Sequence, residues 1–179
     1  MPTNYSVLPI PAFPEFTRYF DAGPVTFGVE YRLLDENAIR DAYGDDAREQ
    51  FGNVTPPGLP TRIEEDGVSV HVFGSEDRRE YLRFDCFGDF PHYHYIVARE
   101  GHQSVMEFDP VADGPIVPWM LECLRARLPT MLERAGAADL AEKLEPRALD
   151  GVLEAVEQEV AAAIERGKPT RIGDGSGPP

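Results

Sequence analysis

The feature that most constrains the fold is a change in hydrophobic period along the chain. Residues 67–109 alternate apolar and polar side chains, with turn-forming residues at 74–77, 88–91 and 100–101. A period of two is typical of strands that bury one face. Apolar residues recur at helical spacing over 116–167, which is typical of amphipathic helices. The sequence therefore predicts an α+β fold, an antiparallel β-meander of about four to five strands with C-terminal helices packed on one face.

The last predicted helix has the clearest pattern in the chain. Pro146 stands near its start and Gly167 at its stop, which matches the preference for proline in the first turn and glycine after the last. The predicted apolar stripe comprises Leu149, Val152, Leu153, Val156, Val160 and Ile164. A stripe of this kind predicts packing against the sheet.

Three segments organise the chain. Residues 1–23 interleave prolines with aromatic residues, which predicts an ordered arm over its own domain or over a neighbouring subunit. Residues 24–167 show no repeat and no shift of composition, which predicts a single α+β domain that includes a strand at 25–33 and short helices within 35–51. Residues 168–179 offer almost nothing to bury, which predicts a flexible tail.

The balance of charge excludes some classes of partner. Lysine and arginine number 17 against 32 aspartates and glutamates, a formal net charge of −15. Nucleic-acid and anionic-membrane binding both depend on basic residues, so neither partner is expected. The chain has no apolar run long enough to span a bilayer, and its N-terminus does not resemble a signal peptide. With Cys86 and Cys123 as its only cysteines, both expected to be reduced, we expect a cytoplasmic protein.

The candidate site begins with two histidines close together in one predicted strand. His92 and His94 are two residues apart in the sequence His92-Tyr93-His94-Tyr95. Residues two apart in a strand project from the same face. Neighbouring imidazoles on a rigid support are typical ligands of zinc and iron.

The predicted strand registers add two acids to this face. If 88–91 is a four-residue turn, Asp85 lies opposite His94 on the preceding strand. If 100–101 is a two-residue turn, Glu107 lies opposite His94 on the following strand. Paired residues in an antiparallel ladder share a face, with Cβ atoms roughly 5 Å apart. The predicted metal ligands are therefore His92, His94, Glu107 and Asp85.

Three interpretations of this patch remain open. The histidines and acids can be salt-bridged structural groups. They can hold a divalent metal, zinc or iron, for a hydrolytic or lyase reaction in which the spare acid orients water or substrate. They can also form a metal-free acid–base pair.

The standard catalytic signatures are absent from the sequence. It contains no GxxxxGK[ST] loop, no GxGxxG fingerprint, no GxSxG elbow and no HExxH motif. We therefore favour a small soluble accessory or assembly protein, which forms a homo-oligomer or joins a larger enzyme as a subunit through its arm and C-terminal helices. The alternative is a metal-binding protein or metal-dependent hydrolase or lyase. Whether the chain is an enzyme stays open.

Overall fold

The computed structural model describes residues 2–34, 65–167 and 170–171. Its strands are β1 Thr3–Tyr5, β2 Arg18–Ala22, β3 Val25–Leu34, β4 Glu65–Gly74, β5 Glu80–Phe87, β6 His92–Val97, β7 His102–Glu107 and β8 Thr170–Arg171. Its helices are α1 Pro110–Asp113, α2 Ile116–Ala126, α3 Leu128–Arg134, α4 Ala138–Ala141 and α5 Pro146–Arg166. Strands β1 to β7 precede the helices, as the change of period predicts, and the two-residue β8 follows them.

One open antiparallel sheet carries the fold. Its strand order is β1-β7-β6-β5-β4-β3-β2, and the two-residue β8 runs parallel to β3. The predicted α+β class and antiparallel sheet are confirmed, but the sheet has more strands than the four to five expected. The N-terminal segment supplies two of the additional strands, because β1 pairs with β7 and β2 pairs with β3 at the two ends of the sheet. Neither segment has the long alternation that makes a strand visible in a sequence.

The helices bury the apolar face of the sheet. Phe84 and Tyr93 on neighbouring strands meet Trp119 of α2, with ring centroids 6.2 Å and 5.1 Å from the indole. Phe108 packs on the same indole at 4.9 Å. Each large apolar side chain buried in this way stabilises the fold by about 1.5–3 kcal/mol. The helical layer therefore fixes which face of the sheet is left for other contacts.

Helix α5 confirms its predicted boundaries. Pro146 lies in its first turn, and Gly167 caps its end with a left-handed φ of 47°, a conformation that glycine adopts without steric cost. The stripe departs from prediction at its end, where Ile164 is exposed and Ala163 is buried instead. A helix of 3.6 residues per turn drifts, so a stripe followed over several turns shifts by one position.

The other face of the sheet is polar and yet buried. We call it the polar face, and its buried members are Glu30, Arg32, Ser69, His71, Arg83, Asp85, His94 and Gln103. The N-terminal segment lies across part of it. The Ile10 carbonyl accepts from Arg83 Nη2 at 2.7 Å, and the Phe13 backbone N–H donates to Glu30 Oε2 at 3.1 Å. These contacts of the predicted arm are with its own domain.

Some predictions fall on residues outside the described ranges. The short helices expected within 35–51 lie there, as does most of the predicted tail. The described part of that tail, Thr170–Arg171, is strand β8, paired with Arg32 and Leu33. Of the helices in the described part of the chain, none combines the length and apolarity that a membrane crossing requires.

Candidate metal centre

The registers around the two histidines differ from the predicted ones. Asp85 pairs with His92, and Glu107 also pairs with His92, where both acids were predicted opposite His94. The predicted registers are wrong by two residues, because the loops between paired residues span 86–91 and 98–101 and are longer than the turns assumed. Since the side-chain period of a strand is two, a shift of two residues leaves every side chain on its predicted face.

Asp85, His92 and His94 come together on the polar face. The Nε2 atom of His94 lies 2.8 Å from Asp85 Oδ2, and the Nε2 atom of His92 lies 3.3 Å from the same oxygen. One ligand atom from each residue lies within 4.8 Å of the others. Asp85 and His94 are buried, whereas the His92 side chain is 16% exposed. We call these three residues the Asp–His–His group.

The outer nitrogens of both imidazoles face hydrogen-bond acceptors. His92 Nδ1 lies 2.7 Å from the Phe90 carbonyl oxygen, which can only accept, so Nδ1 carries the hydrogen. His94 Nδ1 lies 2.7 Å from the side-chain oxygen of Gln103. A neutral imidazole has one N–H. In the neutral rings, therefore, each Nε2 directs a lone pair toward Asp85.

The carboxylate is also held in place from its far side. The Ser69 hydroxyl on β4 donates to Asp85 Oδ1. Burial by itself raises the pKa of Asp85, but the hydrogen bonds and positive charge that His92 and His94 supply when protonated hold this pKa well below the usual range. Burial lowers the pKa of His94, and this effect outweighs the opposing influence of Asp85. These shifts favour an ionised carboxylate beside a neutral His94.

The group can hold a metal ion. Two imidazole nitrogens and one carboxylate oxygen form the ligand set of catalytic zinc sites and of non-haem iron sites. Three protein ligands leave coordination positions for water or substrate. The hydrogen bonds from Nδ1 to acceptors are the outer contacts that orient metal-binding histidines.

Glu107 stands apart from the other predicted ligands. It lies opposite His92 in the β6–β7 ladder, but its side chain is exposed and it does not belong to the Asp–His–His group. The two histidines and Asp85 are brought together, and Glu107 remains a neighbour on the same strand pair.

A second histidine cluster lies on the same face. His71 Nδ1 is 2.6 Å from Glu80 Oε1, and its Nε2 is 3.2 Å from Glu30 Oε1. Arg83 pairs with Glu80 at 2.7 Å. We call Glu30, His71, Glu80 and Arg83 the His71 cluster. Burial by itself lowers the pKa of His71, but Glu80 and Glu30 raise it above its usual value. This shift favours the imidazolium form between the two carboxylates.

Sequence reasoning missed the supporting residues of both sites. Ser69 and Gln103 position the Asp–His–His group, while Glu30 and Glu80 surround His71. A signal was present, because Ser69 and His71 occupy alternate positions of a strand, as do Arg83 and Asp85. Polar residues at this spacing on adjacent strands indicate a shared polar face. Which of them touch depends on register.

No curated protein and no solved structure matches the chain. A family model does match it, over residues 19–160. This range contains the Asp–His–His group and the His71 cluster, and it begins after Ile10 and Phe13, the residues that lie across the polar face. The chain belongs to the family described as domain of unknown function DUF7700.

Proposed function

We propose that this protein binds a divalent transition metal, zinc or iron, through Asp85, His92 and His94. The observation that carries the proposal is the convergence of one atom from each residue within 4.8 Å, with both Nδ1 atoms on outer acceptors. Carboxylate oxygen and imidazole nitrogen are the ligands that both metals take in proteins.

A metal explains the geometry better than a salt bridge does. For Asp85 to accept a hydrogen bond from both Nε2 atoms, both imidazoles would have to be charged, because their Nδ1 atoms face acceptors. The two rings have centroids only 5.0 Å apart. Two adjacent imidazoliums repel each other, and the burial of His94 adds a desolvation cost. A cation among the three donor atoms removes that conflict.

The proposed chemistry follows from the open coordination positions. A metal at such a site lowers the pKa of bound water and polarises a carbonyl or phosphoryl oxygen. Glu107 lies near His92 and is exposed, which suits the predicted role of a spare acid that orients water or substrate. A metal-assisted hydrolysis or lyase reaction is the class we propose.

Calorimetric titration of the untagged full chain with zinc and, without oxygen, with iron(II) tests the proposal. We expect one ion per chain, and at least about 100-fold weaker binding in Asp85→Asn and in His94→Ala. His102→Ala is the matched control, because His102 lies on the neighbouring strand β7 and pairs with the exposed Glu100. It should bind like the wild type.

Two outcomes would count against the metal centre. Absence of stoichiometric binding would end the proposal. Equal weakening in His102→Ala would show that binding does not depend on this group. Glu107→Gln assigns the role of the spare acid: an affinity within about twofold of wild type agrees with an outer role, whereas a loss comparable to that of Asp85→Asn would make Glu107 a ligand.

The accessory or assembly function stays a prediction. The contacts described here for the N-terminal arm are made with its own domain, through Ile10 and Phe13 among others. These contacts do not test whether the chain binds a partner.

A further inference from the structure

Arg32 is a buried cation with unused hydrogen-bond donors. Its side chain is 1% exposed. Its Nη2 atom donates to the Pro11 carbonyl at 3.2 Å and reaches the Ile10 carbonyl at 3.5 Å. Its Nε and Nη1 atoms have no hydrogen-bond partner in the structure as described. A buried donor without an acceptor is costly, and more so on a charged group.

The neighbouring acid does not satisfy this guanidinium. Glu30 Oε1 lies 3.2 Å from Arg32 Nε but without hydrogen-bond alignment, and the same oxygen faces His71. Glu30 Oε2 accepts from the Phe13 N–H and the Thr17 hydroxyl. The charge of Glu30 is thus shared among several donors, and none of these contacts reaches Nη1 of Arg32.

A second arginine increases the need for an anion. Arg83 donates to the same Ile10 carbonyl oxygen at 2.7 Å, so two guanidinium groups meet at one backbone atom. Arg83 is paired with Glu80 through two nitrogens. Burial and the charge of Arg83 together lower the pKa of Arg32. Of the two arginines, Arg32 is the less completely paired, because the Glu30 oxygen beside it also faces His71.

The position of Arg32 relates it to the Asp–His–His group. Arg32 on β3 pairs with Gly67 on β4, and the Phe87 ring on β5 packs against Gly67, where an added Cβ would lie 3.0 Å from Phe87 Cδ1. Asp85 lies on β5, two strands from Arg32, and is displaced along the strand by two residues from the position that aligns with Arg32. Strand spacing and rise place the two Cα atoms roughly 12 Å apart. A small molecule that extends from Arg32 to the Asp–His–His group would pass the Phe87 ring, whose centroid lies 5.8 Å from that of His92.

We propose that Arg32 anchors the carboxylate of a small organic acid bound on the polar face beside Asp85, His92 and His94. That this acid is the ligand of a metal centre rests on the function proposed above. The anchoring itself rests on the unused donors of Arg32. A carboxylate fits better than a phosphate, because each carboxylate group brings one negative charge to the guanidinium. A phosphate dianion would bring two charges to the same point, where the neighbouring Glu30 would repel the second.

The acid reaches Arg32 only when the N-terminal segment moves. The carbonyls of Ile10 and Pro11 occupy Nη2, and the Phe13 ring lies 5.6 Å from the guanidinium carbon. Binding should therefore change the exposure of this segment. Amide hydrogen exchange at residues 10–13 is a second readout that does not depend on a variant.

Succinate is the probe, with the uncharged succinamide and inorganic phosphate as comparisons, in low-chloride buffer. Binding is measured calorimetrically on metal-free and on cobalt(II)-loaded full-length protein. We expect succinate to bind and succinamide not to bind. Arg32→Lys and Arg32→Gln should weaken succinate binding roughly tenfold or more, while metal binding stays at the wild-type level. Arg125→Gln is the control, because Arg125 pairs with Glu157 on the exposed surface of the helices.

The outcomes separate this inference from the metal proposal. Succinate binding that depends on Arg32 supports the anchor even if no metal binds, in which case the metal proposal alone fails. Metal binding without succinate binding, or succinate binding that Arg32→Lys leaves unchanged, overturns the anchor. Phosphate binding as tight as succinate binding overturns the carboxylate assignment. A change in hydrogen exchange at 10–13 with succinate, and none with succinamide, supports it.

Discussion

Two histidine sites on one face of this sheet use the same residue types in opposite proportions. His71 has a different carboxylate on each nitrogen, Glu80 on Nδ1 and Glu30 on Nε2. His92 and His94 instead share one carboxylate oxygen of Asp85. The first site has more acids than imidazoles, and the second has more imidazoles than acids.

The proportion determines what each site can do. At His71 the acids favour the charged form of the imidazole. Each ring nitrogen faces its own carboxylate oxygen, so neither nitrogen is left to bind a ligand. In the Asp–His–His group, the lone pairs of the two neutral Nε2 atoms and of Asp85 Oδ2 face one another with no proton between them. We infer that the first site is a structural ion network and the second a ligand set. The following predictions test that contrast.

Removal of His71 should have the largest effect on stability. His71→Ala leaves Glu30 and Glu80 buried without the cation between them, and breaking a buried ion network costs about 3–5 kcal/mol of unfolding free energy. Chemical denaturation of the metal-free protein measures the loss. The affinity for zinc should stay within about twofold of wild type in the protein that remains folded.

The contrast would fail if His71→Ala were as stable as the exposed-site variant His102→Ala, for which we expect a change within about 0.5 kcal/mol. It would also fail if His71→Ala lost zinc while keeping its stability, because the two histidine sites would then form one ligand set.

Ser69→Ala should have the intermediate effect, and mainly on metal affinity. The Ser69 hydroxyl donates to Asp85 Oδ1 and orients the carboxylate. Loss of such an outer contact weakens metal binding about 10–100-fold. Ser104→Ala is the matched control, since Ser104 donates to Asn4 at the exposed edge of the sheet. Equal zinc affinities in the two variants would contradict the positioning role of Ser69.

The sequence predicts which residues share the polar face better than which residues touch. Alternation places His92, His94 and Asp85 on one side, and this survives a register error because the error is two residues. Contact depends on loop lengths, and the loops at 86–91 and 98–101 give no sequence signal of their true length. Glu107 was assigned to the ligand set through that error.

The His71 cluster and Arg32 were beyond sequence reasoning for a different reason. Glu30, His71 and Glu80 lie on three strands, and Ile10 comes from a segment whose prolines show only that it is extended. Local patterns report the face and the type of an element. They do not report which distant segment covers a charged face, and that covering decides which polar groups are paired.

Raising the pH should erase part of the stability that His71 provides. The acids Glu80 and Glu30 raise the pKa of His71 above its usual value near 6.5, against the opposing effects of burial and of Arg83. A raised folded pKa means that this stabilisation is complete below about pH 6.5 and is lost as the pH rises through the folded value. The unfolding free energy of wild type minus that of His71→Gln should therefore fall with rising pH, by at most about 1.4 kcal/mol per pH unit for one proton. Groups that do not contact His71 titrate alike in both proteins and cancel in the difference, whereas Glu30 and Glu80 are coupled to His71 and change with it. A difference that stays flat, or that grows with pH, would show that His71 is neutral in the folded protein and would remove the contrast with His94.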